Sequence, residues 1–482
     1  MNTPSFYWYD YETFGIDPRA DKIAQFAGIR TDLNFNIIDE PIDILCKATD
    51  DILPNPEACL ITGITPQKTL ANGLIEAEFI ALIEKEFATP NTCVVGFNSL
   101  RFDDEFTRYS LYRNFFDPYA REWQNGCSRW DIIDLVRVTR ALRPEGIEWP
   151  VDENGIASNR LELITKANGI SHEAAHDALS DVYATIAVAK LIKDKQPKLF
   201  NYVLENKTKQ KVSKVINLYK PEPILHTSGM YPSTICNTTV AYPLAQHPIN
   251  KNGVIVFDLR YSPESLKNLS AEEIIERLYT PRDQLPEGVE RVPLKTIHIN
   301  KCPVVAPLNT LDEASAARIE INKALYENHL NILKSIPDLN KKLTQIFSHN
   351  TFAEETDPDK NLYGGGFFGP DDKKRMNDLR QLSATELATA SFNFKDKRLP
   401  EMLFRYRARN YPNSLSADEK NKWDEYRKNK FNNTDSIKAF NLEKFNTLLS
   451  EKENDDELNA AQKTILSDLK NWVDSITKDL TF

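Results

Sequence analysis

The segment Ser5–Glu12 places two carboxylates inside an aromatic run, and this combination restricts what the chain can fold into. It reads Ser-Phe-Tyr-Trp-Tyr-Asp-Tyr-Glu, which predicts a strand within a sheet. Side chains two positions apart on a strand share one face, so Asp10 and Glu12 lie side by side. Like charges this close raise each other's pKa unless a cation lies between them. The segment therefore predicts a divalent-metal site; the alternative, usual for an isolated Asp-x-Glu, is two solvated acids on an edge strand.

The length of 482 residues is too great for one hydrophobic core and predicts two or three domains. After the first strand, residues 23–30 and 36–47 have the composition of two further strands with a polar turn between them, which indicates an antiparallel meander. Residues 93–98 have the pattern of a short buried strand. Helical apolar spacing is found over residues 75–87, 130–142, 161–168 and 178–189. We therefore predict an α/β fold with a mixed sheet in this first region.

Beyond this region the composition changes twice. A lysine-rich passage at 207–214 precedes β-leaning runs at 253–259 and 294–305, which indicate a small β-rich domain closed by helices to about residue 347. A stretch at 350–370 that contains three consecutive glycines leads into a charged remainder with helical spacing. The predicted domains are residues 1–196 (mixed α/β), 197–349 (β-rich) and 350–482 (helical).

Composition excludes several classes of protein. No apolar run approaches membrane-spanning length, and the first residues lack the pattern of a secretion signal. The six cysteines are scattered without a Cys-x-x-Cys motif, which favours reduced thiols in a cytoplasm over zinc ribbons or disulfides. The net charge of −10 argues against a protein that simply coats nucleic acid, but a locally basic groove remains compatible with it.

Two further acids extend the pair on the first strand. Asp103 follows the predicted strand at 93–98, and Asp181 lies early in the helix predicted from residue 178. Four carboxylates gathered in one place suit a pair of Mg²⁺ or Mn²⁺ ions, which prefer oxygen ligands. Two such ions, about 3.5–4 Å apart, can activate a water and stabilise the leaving oxygen of a phosphodiester.

His176 precedes Asp181 by five positions, and this spacing constrains where it lies. Residues five apart on a helix point about 140° away from each other. If both serve one site, His176 must lie in the loop before the helix, and Asp177 is then the N-cap. A histidine of near-neutral pKa beside the acids can accept the proton of the attacking water.

Residues 172–176 (His-Glu-Ala-Ala-His) also match the His-Glu-x-x-His pattern of zinc metalloproteases. That motif needs a continuous helix and a third ligand. Gly169-Ile170-Ser171 precedes the motif directly, and the position expected for a third histidine is Val182. The sequence therefore disfavours a protease and indicates a surface position for His172.

Three motifs together resemble those of the DEDDh family of 3′→5′ exonucleases, whose catalytic domain has a ribonuclease H-like fold. They are Asp10-x-Glu12, Asn98-x-x-x-Phe102-Asp103 and His176-x-x-x-x-Asp181. Longer segments are similar to the bacterial exonuclease I family, and this similarity covers essentially the whole chain. These segments are residues 9–15, 143–147, 298–303 and 406–410.

The resemblance implies an SH3-like middle domain, a helical C-terminal domain and processive degradation of single-stranded DNA from its 3′ end to mononucleotides, in DNA repair and recombination. It implies a monomer in the cytoplasm with two Mg²⁺ ions, for which Mn²⁺ can substitute. The metal ligands would be Asp10, Glu12, Asp103 and Asp181, with His176 as general base. Asp104 neighbours Asp103, and it is the family motif that favours Asp103.

Contacts with the DNA strand are implied by the same resemblance, because single strands are held by basic grooves interleaved with aromatic side chains. Individually, each aromatic residue is equally consistent with a core position and each arginine with a solvated surface. The implied strand contacts are Glu12, Arg108, Tyr119, Trp123, Arg137, Arg160, Asn252 and Lys295.

A protein partner is also implied, the acidic C-terminal tail of single-stranded DNA-binding protein. Arg143 and Tyr202 are the candidates for docking it. The residue before Pro223 is Glu222, where the family pattern has a basic residue.

Two alternatives stay open at this point. An RNA-trimming exonuclease would share the fold, but small members of that group lack the remainder of this chain. A catalytically silent DNA-binding clamp is disfavoured by the complete carboxylate set, because clustered acids without cations would only weaken DNA binding.

Overall fold

A computed structural model describes residues 3–172, 177–349, 355–433 and 440–480. The chain divides into two compact units, one of residues 1–128, 173–183 and 354–482, the other of residues 129–172 and 184–353. No helix in the described ranges has both the length and the apolar character that crossing a membrane requires.

The first sheet is built around the N-terminal strand. Its five strands have the order β3-β2-β1-β4-β5. The β1–β2 and β2–β3 pairs are antiparallel, whereas β1 and β4 are parallel. The predicted mixed sheet is therefore confirmed. The strands are β1 (Ser5–Thr13), β2 (Ile23–Thr31), β3 (Ile42–Leu45), β4 (Thr92–Gly96) and β5 (Ser128–Asp131).

The second sheet is antiparallel throughout, with the order β10-β6-β7-β8-β9. The run at 294–305 forms two strands rather than one. Although β9 and β10 follow each other in the chain, they occupy opposite edges of this sheet. The strands are β6 (Ile224–Thr227), β7 (Thr238–Gln246), β8 (Gly253–Asp258), β9 (Leu294–His298) and β10 (Val304–Pro307).

Helices make up most of the remaining regular structure. In chain order they are α1 (Pro56–Thr62), α2 (Pro66–Asn72), α3 (Glu76–Phe87), α4 (Asp103–Arg113), α5 (Ile133–Leu142), α6 (Leu161–Ala167), α7 (Ala178–Lys195), α8 (Pro197–Glu205), α9 (Lys209–Ile216) and α10 (Glu264–Asn268). They continue with α11 (Ala271–Tyr279), α12 (Glu313–Arg318), α13 (Lys323–Lys334), α14 (Leu339–Phe347), α15 (Pro370–Leu379), α16 (Ala384–Thr389), α17 (Leu399–Asn410), α18 (Ala417–Phe431), α19 (Leu442–Glu453) and α20 (Ala460–Thr477).

Two predicted elements have different bounds in the structure. The third strand is restricted to β3, because only these residues form a continuous ladder with β2, whereas Ile37 contributes an isolated bridge to Thr31. The helix predicted over residues 130–142 begins at Ile133, because Trp130 and Asp131 are extended in β5. The Asp131 carboxylate accepts the Ile133 backbone N–H at 3.0 Å, which marks the start of the helix.

The C-terminal helices pack against the N-terminal part of the first unit. One buried cluster joins Phe14 and Ala24 with Phe431, Phe445 and Leu469. Burial of apolar side chains stabilises a fold by roughly 25 cal/mol per Å² removed from water. The first and last parts of the chain therefore share one hydrophobic core.

Ion pairs buried in the same unit link these parts further. Arg409, whose side chain is 4% exposed, pairs with Asp51 at 3.0 Å and with Asp359 at 2.7 Å. Lys430 also contacts Asp51, and Arg405 contacts Asp359. Burial alone would raise the pKa of Asp51, but Arg409 and Lys430 outweigh burial and hold that pKa well below its usual range.

Glu76 forms a second buried cluster with two cations, Lys22 at 3.0 Å and Arg113 at 2.6 Å. Burial alone would raise the Glu76 pKa, but Arg113 and Lys22 outweigh burial and lower it to about 2. Because two cations share one carboxylate, burial and Arg113 lower the pKa of Lys22 to about 7.

We expect the Glu76 cluster to make stability depend on pH in the acid range. A carboxyl with a lowered pKa in the folded state stabilises the fold fully above its unfolded pKa, about 4.3 for Glu. This contribution is lost as the pH falls towards the folded value of about 2. Glu76→Gln should therefore cost about 3–5 kcal/mol at neutral pH, because both cations lose their partner. The deficit should shrink between about pH 4.3 and 2 in urea titrations.

The matched control for this prediction is Glu78→Gln, since Glu78 is an exposed acid on the same helix, α3. It should show wild-type stability at every pH. A Glu76→Gln deficit that stays constant from neutral pH to pH 2 would contradict the ionised cluster.

Candidate active site

Two elements of the first unit bring three carboxylates together. Asp10 and Glu12 share one face of β1, and Asp181 lies in the first turn of α7. One carboxylate oxygen from each of the three lies within 4.8 Å of the others. The side chain of Asp177 accepts the Ser180 backbone N–H at 3.0 Å, which gives it the predicted N-cap position.

The electrostatics of this group are unfavourable without a cation. Burial, then Asp103, then Asp181 raise the pKa of Asp10 well above its usual range. Burial, then Asp10 and Asp181, raise the pKa of Glu12 to about 9. Hard divalent cations such as Mg²⁺ and Mn²⁺ prefer clustered carboxylate oxygens, so the donor set fits a metal centre. The same group offers no sulfur or imidazole donor among its described members.

Asp103 and Asp104 have different surroundings, which sequence alone could not distinguish. The Asp104 carboxylate pairs with Arg121 and lies 3.5 Å from Arg108. Asp103 lies outside the group of three, but among charged neighbours it has the largest effect on the pKa of Asp10. The structure therefore places Asp103 beside the group and Asp104 in a separate ion-pair cluster.

His176 lies outside the described residues, as do the other residues between 173 and 176. Helix α7 begins at Ala178, after the His-Glu-x-x-His motif. His172 is half-buried rather than at the surface, and its Nδ1 lies 3.3 Å from the Thr165 hydroxyl.

The implied strand contacts of the first unit have different environments. Arg108 is buried and pairs with Glu105 at 2.9 Å and Glu122 at 2.8 Å, so its guanidinium is held rigidly. It also lies over the half-buried Tyr119 ring, 5.4 Å from the centroid. Trp123 is 68% exposed, which excludes a core role and leaves its ring available for stacking.

Phe367 is a candidate binding residue that sequence reasoning missed. It is 84% exposed, and its ring meets the Tyr119 ring edge-on at 5.8 Å. Both rings line a cavity of about 120 Å³ that is otherwise mainly aromatic and aliphatic. The available signal was the sequence Tyr-Gly-Gly-Gly-Phe-Phe at 363–368, in which aromatic residues flank a flexible segment.

In the second unit, two of the residues implied to contact the DNA strand lie against the same loop, residues 229–230. Arg137 pairs with Asp134 at 2.7 Å and approaches Gly229 so closely that a Cβ there would lie 2.8 Å from Nη2. The Lys295 ammonium donates to the Met230 carbonyl at 3.2 Å. The structure therefore gathers Arg137 and Lys295 around residues 229–230.

The other implied contacts of this unit lie apart from that loop. The Arg160 side chain is 75% exposed, 4.0 Å from Glu162. The Asn252 side chain accepts a hydrogen bond from Lys209 at 2.6 Å. Among the partner-docking candidates, Arg143 donates to the Thr310 carbonyl at 3.0 Å, and the Tyr202 hydroxyl donates to the Val305 carbonyl at 3.0 Å.

Comparison with known families accounts for most of the chain. The family described as "Exonuclease" matches residues 7–189. "Exonuclease I SH3-like domain" matches residues 207–349, and "Exonuclease I C-terminal domain" matches residues 356–476.

Individual relatives give the same result. The chain is 50% identical over 428 residues to exodeoxyribonuclease I of Haemophilus influenzae, covering 88% of this chain and 90% of that protein. Its fold is similar to that of exonuclease I from Methylocaldum szegediense, with a TM-score of 0.93 at 49% identity and coverage of 98% and 99%. A zinc-bound complex of Escherichia coli exonuclease I with single-stranded DNA gives a TM-score of 0.93 at 43% identity, covering 99% of this chain and 100% of that one.

These matches confirm the resemblance noted in the sequence, together with the succession of a mixed-sheet exonuclease domain, an SH3-like domain and a helical C-terminal domain. The chain therefore belongs to the exodeoxyribonuclease I family and is an exodeoxyribonuclease.

Proposed function

We propose that the protein removes mononucleotides processively from the 3′ end of single-stranded DNA by hydrolysis that depends on two divalent ions, with Mg²⁺ as the cellular metal. The observation that carries this proposal is the convergence of Asp10, Glu12 and Asp181 within 4.8 Å. Support also comes from the Escherichia coli relative, whose structure contains single-stranded DNA and a zinc ion.

In this proposal Asp10, Glu12, Asp103 and Asp181 hold the ions. When bound, the ions would supply the positive charge that acidifies the attacking water and stabilises the leaving oxygen. The carboxylates orient that charge, and Glu12 also contacts the terminal nucleotide. His176 accepts the proton of the attacking water. The support for His176 is its place in the sequence. It directly precedes Asp177, the N-cap of α7, and the charge of Asp177 contributes to the raised pKa of Glu12.

Substrate binding is proposed to combine stacking with contacts to phosphates. The rings of Tyr119, Trp123 and Phe367 would stack on bases, since stacking tolerates any sequence. The basic and polar side chains would contact the backbone, with affinity falling as salt rises by a slope of about −0.7 per phosphate contact. This second group is Arg108, Arg137, Arg160, Asn252 and Lys295.

Replacing the exposed aromatic residues should weaken binding of the strand. Loss of one stacked ring costs about 1–3 kcal/mol, which corresponds to roughly 5- to 150-fold in affinity. We expect Phe367→Ala and Trp123→Ala each to fall in this range in fluorescence anisotropy with a labelled oligonucleotide in EDTA. Tyr219→Ala provides the control, because Tyr219 is fully exposed and is not one of the implied strand contacts. Equal affinities of the Phe367→Ala and Tyr219→Ala proteins would remove Phe367 from the binding surface.

The activity itself is tested with three 3′-labelled substrates: a single DNA strand, its duplex and an RNA copy, each with Mg²⁺ or EDTA. We expect mononucleotides from the single DNA strand with Mg²⁺ and none with EDTA. With a 5′-labelled strand, a trap of unlabelled strand added after binding should leave digestion uninterrupted if the enzyme is processive. Preferred release from RNA would instead favour the RNA-trimming alternative, and no release from any substrate would favour the silent clamp.

Cellular context completes the proposal. All six cysteines are free thiols, which supports a reducing cytoplasm. We propose a monomer that acts in DNA repair and recombination and docks the acidic tail of single-stranded DNA-binding protein through Arg143 and Tyr202. The proposed domain limits, 1–196, 197–349 and 350–482, are supported by the three family matches.

A further inference from the structure

A polar cavity of about 340 Å³ lies in the first unit, and neither Trp123 nor Phe367 lines it. Its lining comes from the loop between β1 and β2, the end of α4, the segment at 356–360, and helices α17 and α18. The first unit thus contributes both its N-terminal and its C-terminal parts to the lining of one cavity.

The lining of this cavity is strongly basic. Among its described residues it has seven basic side chains and two carboxylates, Asp357 and Asp359. Four of the basic side chains are more than nine-tenths buried: Lys22, Arg113, Arg405 and Arg409. Burying cations is costly unless anions compensate for them.

Carboxylates outside the lining hold these cations in place. Glu76 binds Lys22 and Arg113, while Asp51 binds Arg409 and Lys430. Neither Glu76 nor Asp51 lines the cavity, so their cationic partners lie between these two acids and the cavity. Fixed cations in front of a layer of acids form a preorganised surface of positive charge.

The pKa of Lys22 shows that the basic groups of this cavity repel one another. Burial and the neighbouring Arg113 lower this pKa to about 7, although Glu76 acts in the opposite direction. Lys360 also lines the cavity, and the acid on which its charge acts, Asp17, lies outside the lining and is hydrogen-bonded to Arg19. An anion inside the cavity would compensate for both groups.

We propose that this cavity binds a phosphate-bearing anion. Its volume lies at the lower end of the range of small-molecule sites, about 300–1,000 Å³, and admits a phosphate or a mononucleotide. Arginine forks match the geometry of phosphate oxygens, and lysine adds point charge. Bound there, the anion would bridge the catalytic part of the first unit to its C-terminal helices. The inference does not depend on the exonuclease activity proposed above.

The test measures binding to the full-length protein in EDTA, so that no divalent ion can recruit phosphate to the carboxylates of β1. The probes are inorganic phosphate, dTMP and a short oligothymidylate, each compared with sodium chloride at equal ionic strength by titration calorimetry and thermal melting. For phosphate we expect saturable binding with one site per chain and a rise in melting temperature.

Two variants of lysines that line the cavity, called the rim variants below, test whether the probes bind there. Lys430→Gln and Lys360→Gln should each weaken binding roughly tenfold, as expected for the loss of one charged contact. Lys420→Gln is the matched control, because Lys420 is exposed on α18 and does not line the cavity. Asp181→Asn should bind the probes as the wild type does, which separates the cavity from the active site.

The three probes distinguish the sources of phosphate. If both variants bind phosphate and dTMP more weakly than the wild type, the cavity is a site for small anions. If only the binding of the oligonucleotide is weakened, the cavity contacts the DNA backbone. Unchanged binding of every probe in both rim variants, or no saturable binding by the wild type, would overturn the proposal. Lys360→Gln keeps the test valid if Lys430→Gln does not fold.

Discussion

Asp181→Asn should abolish release of nucleotides while the protein still binds single-stranded DNA. The substitution removes one of three carboxylates that lie within 4.8 Å of one another, and with it a ligand that an amide replaces poorly. A lost metal contact withdraws several kcal/mol of transition-state stabilisation, which corresponds to a rate loss on the order of 10³-fold or more. Single-turnover digestion of a labelled strand measures the rate, and anisotropy in EDTA measures the binding.

The matched control is Asp194→Asn, because Asp194 is an exposed acid on the same helix. It should cut at the wild-type rate. Normal cleavage by Asp181→Asn would remove Asp181 from the active site, whereas loss of both cleavage and strand binding would point to a misfolded variant.

The melting temperature of the same variant reports on repulsion among the carboxylates without measuring catalysis. In EDTA, Asp181→Asn should melt at a higher temperature than the wild type, because it relieves repulsion that raises the pKa of both Asp10 and Glu12. Adding Mg²⁺ should stabilise the wild type and have less effect on the variant, since a ligand that binds only the folded state stabilises it. Equal stabilisation of both proteins by Mg²⁺ would contradict metal binding by Asp181.

Arg409→Met should destabilise the protein by about 3–5 kcal/mol, the cost of leaving buried charges unpaired. Asp51 is fully buried and Asp359 nearly so, and both pair with the Arg409 guanidinium. Methionine keeps the volume of the side chain but cannot neutralise either acid. Urea unfolding measures the loss, with Lys420→Met on the exposed face of α18 as a control that should lie within about 0.5 kcal/mol of wild type.

A double replacement decides whether the unpaired acids cause this loss. Adding Asp359→Asn to Arg409→Met should restore part of the stability, because one stranded charge is removed together with its partner. Fully additive losses would mean that Arg409 contributes through packing rather than through its ion pairs.

The sequence was most informative where the periodicity was strong. The aromatic run at residues 5–12 predicted β1, and the shared face of Asp10 and Glu12 followed, because side chains alternate along any strand regardless of its distant neighbours. By contrast, Trp130 and Asp131 were assigned to a helix, because four residues of strand carry too little pattern to outweigh the helical spacing that follows. The choice between Asp103 and Asp104 depends on Arg121, whose approach to Asp104 no local pattern encodes.

Long-range charge pairing was beyond sequence reasoning for a different reason. Arg405 and Arg409 belong to a basic segment, Arg-Tyr-Arg-Ala-Arg at 405–409, yet these side chains are buried against Asp51, Asp357 and Asp359. Nothing near Arg409 in the sequence indicates a partner as distant as Asp51. Phe367 was missed because a run of glycines next to it was read only as a domain boundary.

The cluster that joins Phe14 to Leu469 has a consequence for biosynthesis. The ribosome releases the N-terminal strands early, but the helices that cover them emerge last, and at about 5–20 residues per second this takes on the order of half a minute or more. During that interval the nascent chain presents an uncovered apolar surface, so chaperones have a substrate until translation is complete. A message truncated before α19 would therefore yield an insoluble polypeptide rather than a smaller nuclease.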